Sequence, residues 1–339
     1  MPAAEFWIAG GRLLGESRAT ALHLKAGRIV GRAAAPPRGA QVLVASGLNL
    51  APAVLDAHVH LSLAGDVRQV AQDELNRGVV AVLDLGQPER LLQLLPGLAP
   101  LRVRFAGPLL TAPKGYPTQS WGADGYGLEL ATAQEARAAV ARLASLGARF
   151  IKLAFDPRFA ELSAEVARAA ADEAHARGLL VAAHALEKDA VEAALAAGVD
   201  VLAHAPKAEL PRALLEEIGA RKLFVLSTLH AYDALGVANV RALHRAGARI
   251  VYGTDLGNAN TEAGIDPVEL ELLALAGLTP AEIVRAATQQ AAALFGYSDL
   301  GSLAPGCAAS LLALSGDPLE DPAALARPAW VMIDGVLRE

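Results

Sequence analysis

Eight short aliphatic runs between residues 54 and 255 constrain the fold of this chain more than any other feature of its sequence. Examples are VVAVLDLG (79–86), RFIKLAF (149–155) and RIVYGTD (249–255), each of a length typical of a buried strand. Most are separated by segments with helical spacing, such as AEVARAAADEAHARG (164–178). Strands that alternate with helices indicate a parallel sheet, and eight such units close a barrel. The sequence therefore predicts an α/β fold with a (β/α)8 TIM-like barrel. A doubly wound open sheet is the alternative, but no Gly-x-Gly-x-x-Gly turn follows any run.

The two ends of the chain have a different pattern from the middle. Residues 3–50 contain short strand-like pieces such as EFWIAGGRLL and ALHLKAGRIVG, and residues 308–337 contain AASLLALSG and AWVMIDGVLRE. Glycine-containing turns break these pieces. We therefore predict a small β-sandwich domain formed from both termini, residues 1–50 plus 301–339, beside a catalytic barrel domain over residues 51–300.

Composition excludes several classes of function. The 339 residues include 30 Lys plus Arg and 36 Asp plus Glu, a net charge of −6 without a basic run, which disfavours nucleic acid and anionic membranes as partners. No uninterrupted apolar stretch approaches the ~20 residues of a membrane span, and the N-terminus has no secretory pattern. The single cysteine, Cys307, excludes an internal disulfide framework and fits a reducing compartment. We expect a cytoplasmic protein whose partner is a small-molecule substrate.

Polar side chains stand at the carboxyl ends of several predicted strands, the end at which barrel enzymes carry their chemistry. In VLDAHVHLSL (54–63), Asp56, His58 and His60 alternate along one strand and so share a face. A lone histidine on an apolar strand is usually a hydrogen-bonded core residue, but here the pattern recurs around the barrel. Imidazole and carboxylate together bind divalent transition metals such as zinc. The sequence therefore predicts a metal site, with Asp56 supporting it and with six candidate ligands: His58, His60, Lys152, His184, His204 and Asp255.

Lys152 needs a separate explanation because an ammonium is not a metal ligand. Burial beside cations should lower its pKa and produce the neutral amine. A neutral lysine amine can add carbon dioxide and become a carbamate that bridges two metals. The alternative is an ordinary lysine whose ammonium reaches solvent at the strand end.

Four further residues are candidates for contacts with the substrate. The long connection at 111–130 is typical of a lid, and it carries Tyr116 and Trp121; an ordered surface loop that packs its own aromatics is the alternative. His230 follows the seventh run, and Asn258 follows Asp255. A purely structural role for His230 is equally compatible with its position.

The ordered set of metal-site candidates resembles that of the amidohydrolase superfamily of metal-dependent hydrolases, and most of all its imidazolonepropionase-like and prolidase-like branch. The segments that carry the resemblance are LDAHVH (55–60), FIKLAF (150–155), VAAHALEKDAVEAALAAGVDVLAHA (181–205) and YGTDLG (252–257). Both terminal regions are similar as well, so the resemblance covers nearly the whole chain. The His-x-His alone is a weak signal, whereas the complete ordered set is a strong one.

The resemblance implies a binuclear centre, most simply two Zn²⁺. The more buried ion would be bound by His58, His60 and Asp255, the more exposed one by His184 and His204, and a carboxylated Lys152 would bridge them. It further implies that a metal-bound hydroxide attacks a scissile carbonyl, with Asp255 as proton shuttle to the leaving nitrogen. The expected activity is cleavage of an amide C–N bond in a cyclic amide or a dipeptide-like substrate, by an enzyme that forms homo-oligomers as the family favours.

Two other functions stay open on the sequence. His184-Ala185-Leu186-Glu187 is a pattern also found in mononuclear deaminases that act on nucleobase-like rings, where the glutamate moves protons. Lys152 argues against a deaminase, and a count of bound metals would separate the two. The other alternative is a non-catalytic scaffold of the same fold, although such relatives typically lose ligands. Lactone or phosphotriester hydrolysis would use much the same ligands.

Overall fold

The computed structural model describes residues 5–338, in which strands and helices alternate through the middle of the chain. The strands are β1 (Glu5–Leu13), β2 (Ala19–Lys25), β3 (Arg28–Ala33), β4 (Val42–Val44), β5 (Asn49–Pro52), β6 (Val54–Val59), β7 (Val79–Asp84), β8 (Arg102–Phe105), β9 (Leu109–Thr111), β10 (Gly127–Glu129), β11 (Phe150–Phe155), β12 (Leu180–Ala185), β13 (Val201–Leu202), β14 (Phe224–Leu226), β15 (Arg249–Val251), β16 (Leu311–Leu314), β17 (Pro328–Ile333) and β18 (Val336–Arg338). The α-helices are α1 (Leu61–Ala64), α2 (Val67–Asn76), α3 (Glu89–Leu92), α4 (Ala133–Ser145), α5 (Ala164–Ala176), α6 (Lys188–Ala197), α7 (Arg212–Ala220), α8 (Val237–Ala246), α9 (Pro267–Leu275), α10 (Pro280–Arg285) and α11 (Ala291–Phe295).

The central strands form two parallel sheets that backbone hydrogen bonds join at two places. One sheet has the order β6-β7-β8, and the other has the order β10-β9-β11-β12-β13-β14-β15. At one seam the amide of Arg149 donates to the carbonyl of Phe105 (3.1 Å). At the other, the amide of Ala57 donates to the carbonyl of Tyr252 (3.1 Å) and that of Asp255 to the carbonyl of His58 (2.8 Å). The architecture is an α/β fold of the TIM-barrel type, in which the central strands form two joined sheets rather than one continuous cylinder.

Each of the eight predicted runs contains a strand, but the third run (101–110) contains two. Strand β8 ends at Phe105 and β9 begins at Leu109, because Gly107 takes a φ of +84° and Pro108 has no amide to donate. Strand β9 then pairs with β11 rather than with β8. The break turns the chain inward at the point where the 111–130 connection leaves the sheet.

The central strands are buried on both faces, as is typical of parallel sheets. Every residue of β6, β7 and β11 is buried, which is typical of strands covered by helices on one side and by the barrel interior on the other. The helices bury one face each: in α4 the buried positions are Ala136, Ala139, Val140 and Leu143. Helix α4 begins at a capping box, in which Thr132 and Glu135 satisfy each other's backbone amides.

Both ends of the chain contribute to one further sheet. Its order is β18-β17-β16-β5-β1-β2-β3, with β4 paired to β1, and it has its own apolar cluster that includes Ile8, Leu22, Leu50 and Met332. The predicted joining of the two termini is therefore present, whereas a sandwich of two facing layers is not confirmed. Within residues 5–338, no helix combines the length and apolarity needed to cross a membrane.

Candidate metal centre

The carboxylate of Asp255, which follows β15, lies among histidines that two other strands, β6 and β13, bring to the site. Its Oδ1 is 3.3 Å from Nε2 of His58 and 3.2 Å from Nε2 of His60, at the end of β6. Its Oδ2 is 3.8 Å from Nδ1 of His204. The metal-site hypothesis required that His58 and His60, in the first run, lie close to Asp255, at the end of the eighth run. The fold brings these three residues together.

Backbone carbonyls fix the orientation of the two histidines of β6. Nδ1 of His58 lies 2.8 Å from the carbonyl oxygen of Ala203, and Nδ1 of His60 lies 3.2 Å from that of Gly86. A carbonyl oxygen only accepts, so Nδ1 carries the proton in each ring and Nε2 is left with its lone pair. Both Nε2 atoms point toward Asp255. This carbonyl–imidazole arrangement is typical of histidines that bind metals.

His184 and Lys152 complete the candidate ligands on neighbouring strands. The rings of His184 and His204 are 4.8 Å apart, and Lys152 lies on β11, which pairs with the strand that carries His184. Burial lowers the pKa of Lys152 to about 7, with Asp255 opposing the shift. Burial and the neighbouring Lys152 lower the pKa of His184 to about 3. A neutral amine and a neutral imidazole are therefore accessible near neutral pH, as metal binding and lysine carboxylation require.

A hydrogen-bond network holds Asp255 in an unusual backbone conformation. Its φ is +59°, a left-handed value that non-glycine residues rarely adopt and that clusters at functional sites. The carboxylate of the fully buried Asp56 accepts from the Thr254 hydroxyl (2.6 Å) and from the amides of Thr254 (3.1 Å) and His58 (3.0 Å). Asp56 therefore connects β6 to the segment after β15, in line with its expected supporting role. Asn258 donates from Nδ2 to Oδ2 of Asp255 (2.6 Å).

The donor set of the site matches what a divalent metal needs. Nε2 of His58, Nε2 of His184 and Oδ1 of Asp255 are buried and have no hydrogen-bond partner among residues 5–338. Buried polar atoms without a partner are costly and are rare in native structures unless something binds them. His58, His204 and Asp255 each offer a ligand atom within 4.8 Å of the others. Neutral imidazoles and a carboxylate are ligands that Zn²⁺ and similar ions prefer.

A cavity of about 220 Å³ opens onto these ligands and is covered by aromatic side chains. The Tyr116 ring stacks on His184 at 4.5 Å, and Trp121 lies edge-on to His60 at 5.5 Å. The Trp121 indole also donates to the Tyr116 hydroxyl (2.9 Å), so the 111–130 connection covers both ends of the histidine cluster. The cavity is lined by His60, Leu63, Leu109, Tyr116, Trp121, Lys152, His184, His204, Tyr232, Asp255, Gly257, Asn258 and Ala259.

The structure places one predicted contact residue away from this cavity. Nδ1 of His230 lies 2.6 Å from Oδ2 of Asp266, and the amide of His230 donates to Oε2 of Glu269 (2.8 Å). His230 lines a separate cavity, because the segment after β14 turns its side chain toward α9. Glu187, the acid of the deaminase-like pattern, is exposed at the start of α6 and does not line the metal-facing cavity.

Two residues of the site were missed by sequence reasoning. Tyr232 stands two positions after His230 and packs edge-on against His204 (5.0 Å) in the cavity wall. Burial and the nearby carboxylate of Asp255 raise its pKa well above the usual value, so the phenol stays protonated. The Thr228 hydroxyl lies 3.1 Å from Nδ1 of His204, on a backbone with φ of +43°. The only available signal was that both residues follow a strand end, which does not distinguish them from their neighbours.

Comparison with known proteins places this architecture among metal-dependent hydrolases. The sequence model of the Amidohydrolase family matches residues 49–338. An uncharacterized protein of Mycobacterium tuberculosis is 30% identical over 335 residues, with 88% of each chain covered. A solved structure of a Bifidobacterium longum protein described as a prolidase is 28% identical, with a TM-score of 0.86 over 99% of this chain and 95% of that chain. A Xaa-Pro dipeptidase solved with bound methionine has the same fold, with a TM-score of 0.85 at 20% identity, over 99% of this chain and 100% of that chain.

Proposed function

The chain belongs to the amidohydrolase family, whose members are metal-dependent hydrolases, and on that premise we propose that it cleaves an amide C–N bond of a small molecule. One observation supports this proposal most directly. Three buried atoms without a hydrogen-bond partner among residues 5–338 lie together beside a cavity: Nε2 of His58, Nε2 of His184 and Oδ1 of Asp255. The similarity to a structure described as a prolidase supports dipeptide-like or cyclic amides as substrates. The exposed position of Glu187 leaves the deaminase alternative without its proton-transferring acid.

The proposed centre holds two zinc ions. His58, His60 and Asp255 would hold one ion, and His184 and His204 the other. Lys152, carboxylated on its neutral amine, would connect them. Its burial and its pKa of about 7 support this role. Bound divalent ions polarise a carbonyl and acidify water, which is the chemistry that this centre supplies.

The remaining chemistry falls to the protein's own side chains. As water adds to the carbonyl carbon, one proton passes to Asp255, and the same proton goes to the leaving nitrogen when the C–N bond breaks. The products are a carboxylic acid and an amine, so atoms and charges balance. Asn258, which donates to Oδ2 of Asp255, holds the carboxylate in place for both transfers. The protonated phenol of Tyr232 is a donor for the substrate oxygen, and Tyr116 and Trp121 restrict entry of bulk water.

Several wider features belong to the same proposal. The hydrogen bonds at both seams favour a closed (β/α)8 barrel over residues 51–300, and the terminal sheet favours a separate domain of residues 1–50 and 301–339. The buried, unpaired Cys307 is compatible with the cytoplasm. A homo-oligomer is expected from the family.

The test combines metal counting with a panel of amides, esters and lactones. We expect two metals per chain, preferential amide hydrolysis, and loss of at least about a thousandfold in kcat for Asp255→Asn because the proton route is removed. Asp189→Asn, a change of an exposed aspartate on α6, is the matched control and should leave kcat unchanged. A protein that binds no metal, or an Asp255→Asn variant with wild-type turnover, contradicts the proposal.

A further inference from the structure

Lys207 does not line the cavity itself but contacts Tyr232, an aromatic residue of the cavity wall. Its ammonium lies 4.1 Å from the centre of the Tyr232 ring, a cation–π distance. Tyr232 lines the cavity and packs edge-on against His204. Lys207 follows His204 by three positions, in the loop after β13. The cation is thus near the metal-facing cavity without being one of the candidate ligands.

The backbone that carries Lys207 is fixed from both sides. The amides of Lys207 and Ala208 donate to the carbonyl of Leu186 (2.8 and 3.3 Å), which lies two residues after His184. The buried side chain of Asn239 donates from Nδ2 to the carbonyls of Pro206 and Ala208 (2.7 Å each). A loop held by four hydrogen bonds presents its side chain from a defined position, as a pre-organised binding residue requires.

The ammonium of Lys207 has no close ion-pair partner among the described residues. No carboxylate oxygen of residues 5–338 lies within 4.0 Å of its ammonium, whereas Lys188 pairs with Asp189 and Glu192. Arg158 is close enough to Lys207 to influence its pKa, but Arg158 is already bound to Asp156 through two contacts of 2.9 and 2.7 Å. Partial burial and the charge of Arg158 lower the pKa of Lys207, and the carboxylates of Glu187, Asp233 and Asp156 oppose that shift only in part. An anion placed beside Lys207 would relieve that unfavourable electrostatic environment.

We infer that Lys207 binds a free carboxylate of the substrate, so that the amides cleaved at this site are N-acyl amino acids or dipeptides. The inference rests on the proposed amide hydrolysis. A single ammonium matches one negative charge, which favours a carboxylate over a doubly charged phosphate. The scissile carbonyl then lies at the ligands inside the cavity while the carboxylate stays at the rim. The small volume, about 220 Å³, suits a substrate of this size.

The experiment compares matched substrates that differ only in the carboxylate. N-acetyl-L-amino acids with small, aliphatic and aromatic side chains are assayed beside the corresponding N-acetyl amino acid amides, and acetate release is measured. We expect the free acids to be preferred in kcat/KM, and Lys207→Met to lose about tenfold or more on the acids, mainly through KM. The same variant should leave the carboxamides unchanged, and Lys207→Arg should recover part of the loss. Lys222→Met, at an exposed turn, is the matched control.

A second measurement does not depend on turnover. Binding of leucine and of isopentylamine, which lacks the carboxylate, is measured by calorimetry with wild-type protein and Lys207→Met. Selective binding of leucine that Lys207→Met abolishes supports the carboxylate site even if no amide is hydrolysed, in which case only the proposed hydrolysis fails. Equal losses on acids and carboxamides, or a wild-type protein that prefers neither the acids nor leucine, would overturn the inference.

Discussion

Glu269 gives the folded protein a pH-dependent stability that can be measured apart from catalysis. Its side chain lies on α9 and is fully buried; Oε2 accepts from the amide of His230 (2.8 Å), and Oε1 has no hydrogen-bond partner among residues 5–338. Burial raises the pKa of Glu269 from 4.5 to about 7, and the hydrogen bonds it accepts only partly oppose the shift. The native state therefore holds a proton that the unfolded chain releases between these two pKa values.

The sign follows from proton binding. Because the native state binds more protons than the unfolded state between pH 4.5 and 7, its stability decreases as pH rises through that window. At about 1.36 kcal/mol per pKa unit, the full effect is about 3.4 kcal/mol, of which about 2.5 kcal/mol falls between pH 5 and pH 8. Glu269→Gln mimics the protonated acid and therefore removes this pH dependence of the unfolding free energy. The variant should be more stable than the wild type by about 0.8 kcal/mol at pH 5 and by about 3.4 kcal/mol at pH 8, a change of about 2.5 kcal/mol.

Urea unfolding of metal-free protein at several pH values measures the effect. The quantity to follow is the difference in unfolding free energy between Glu269→Gln and wild type, because other buried acids titrate equally in both. Glu271→Gln, which changes an exposed glutamate of the same helix, is the control and should give a difference independent of pH. A wild-type-minus-variant difference that stays constant from pH 5 to pH 8 would refute the assignment of a raised pKa to Glu269.

Two further substitutions test how the candidate ligands are held. In Gly86→Ala the added methyl group would overlap the imidazole of His60. We therefore expect reduced metal content and activity with the fold retained. Normal metal content by elemental analysis would contradict this geometry. Thr228→Ala removes the hydroxyl beside Nδ1 of His204 and should weaken metal binding about tenfold in a chelator competition. Thr228→Ser keeps a hydroxyl and should not weaken it. Equal metal affinities of the two variants would show that the hydroxyl does not orient His204.

Much of the architecture could be predicted from the chain alone because its information is local. The aliphatic runs reveal strands by length and composition, and the polar residue at each run's end has a fixed relation to its own strand. Parallel strands in one barrel bring those ends to one rim, which is why His58, His60 and Asp255 could be grouped before any coordinates. Loop positions are less regular: His230 follows a strand as His184 does, yet its side chain turns to Asp266.

The sequence by itself determined the order of strands and helices and the identity of the candidate ligands, since periodicity and residue chemistry are properties of neighbouring positions. Only the tertiary structure decided which nitrogen of each imidazole is available. The carbonyl that accepts the Nδ1 proton of His58 in a hydrogen bond belongs to Ala203, 145 positions along the chain. The structure likewise placed Tyr232 in the cavity wall and left Lys207 without a carboxylate oxygen of residues 5–338 within 4.0 Å. Hydrogen-bond partners and uncompensated charges depend on distances between remote segments, and a local pattern carries no information about those distances.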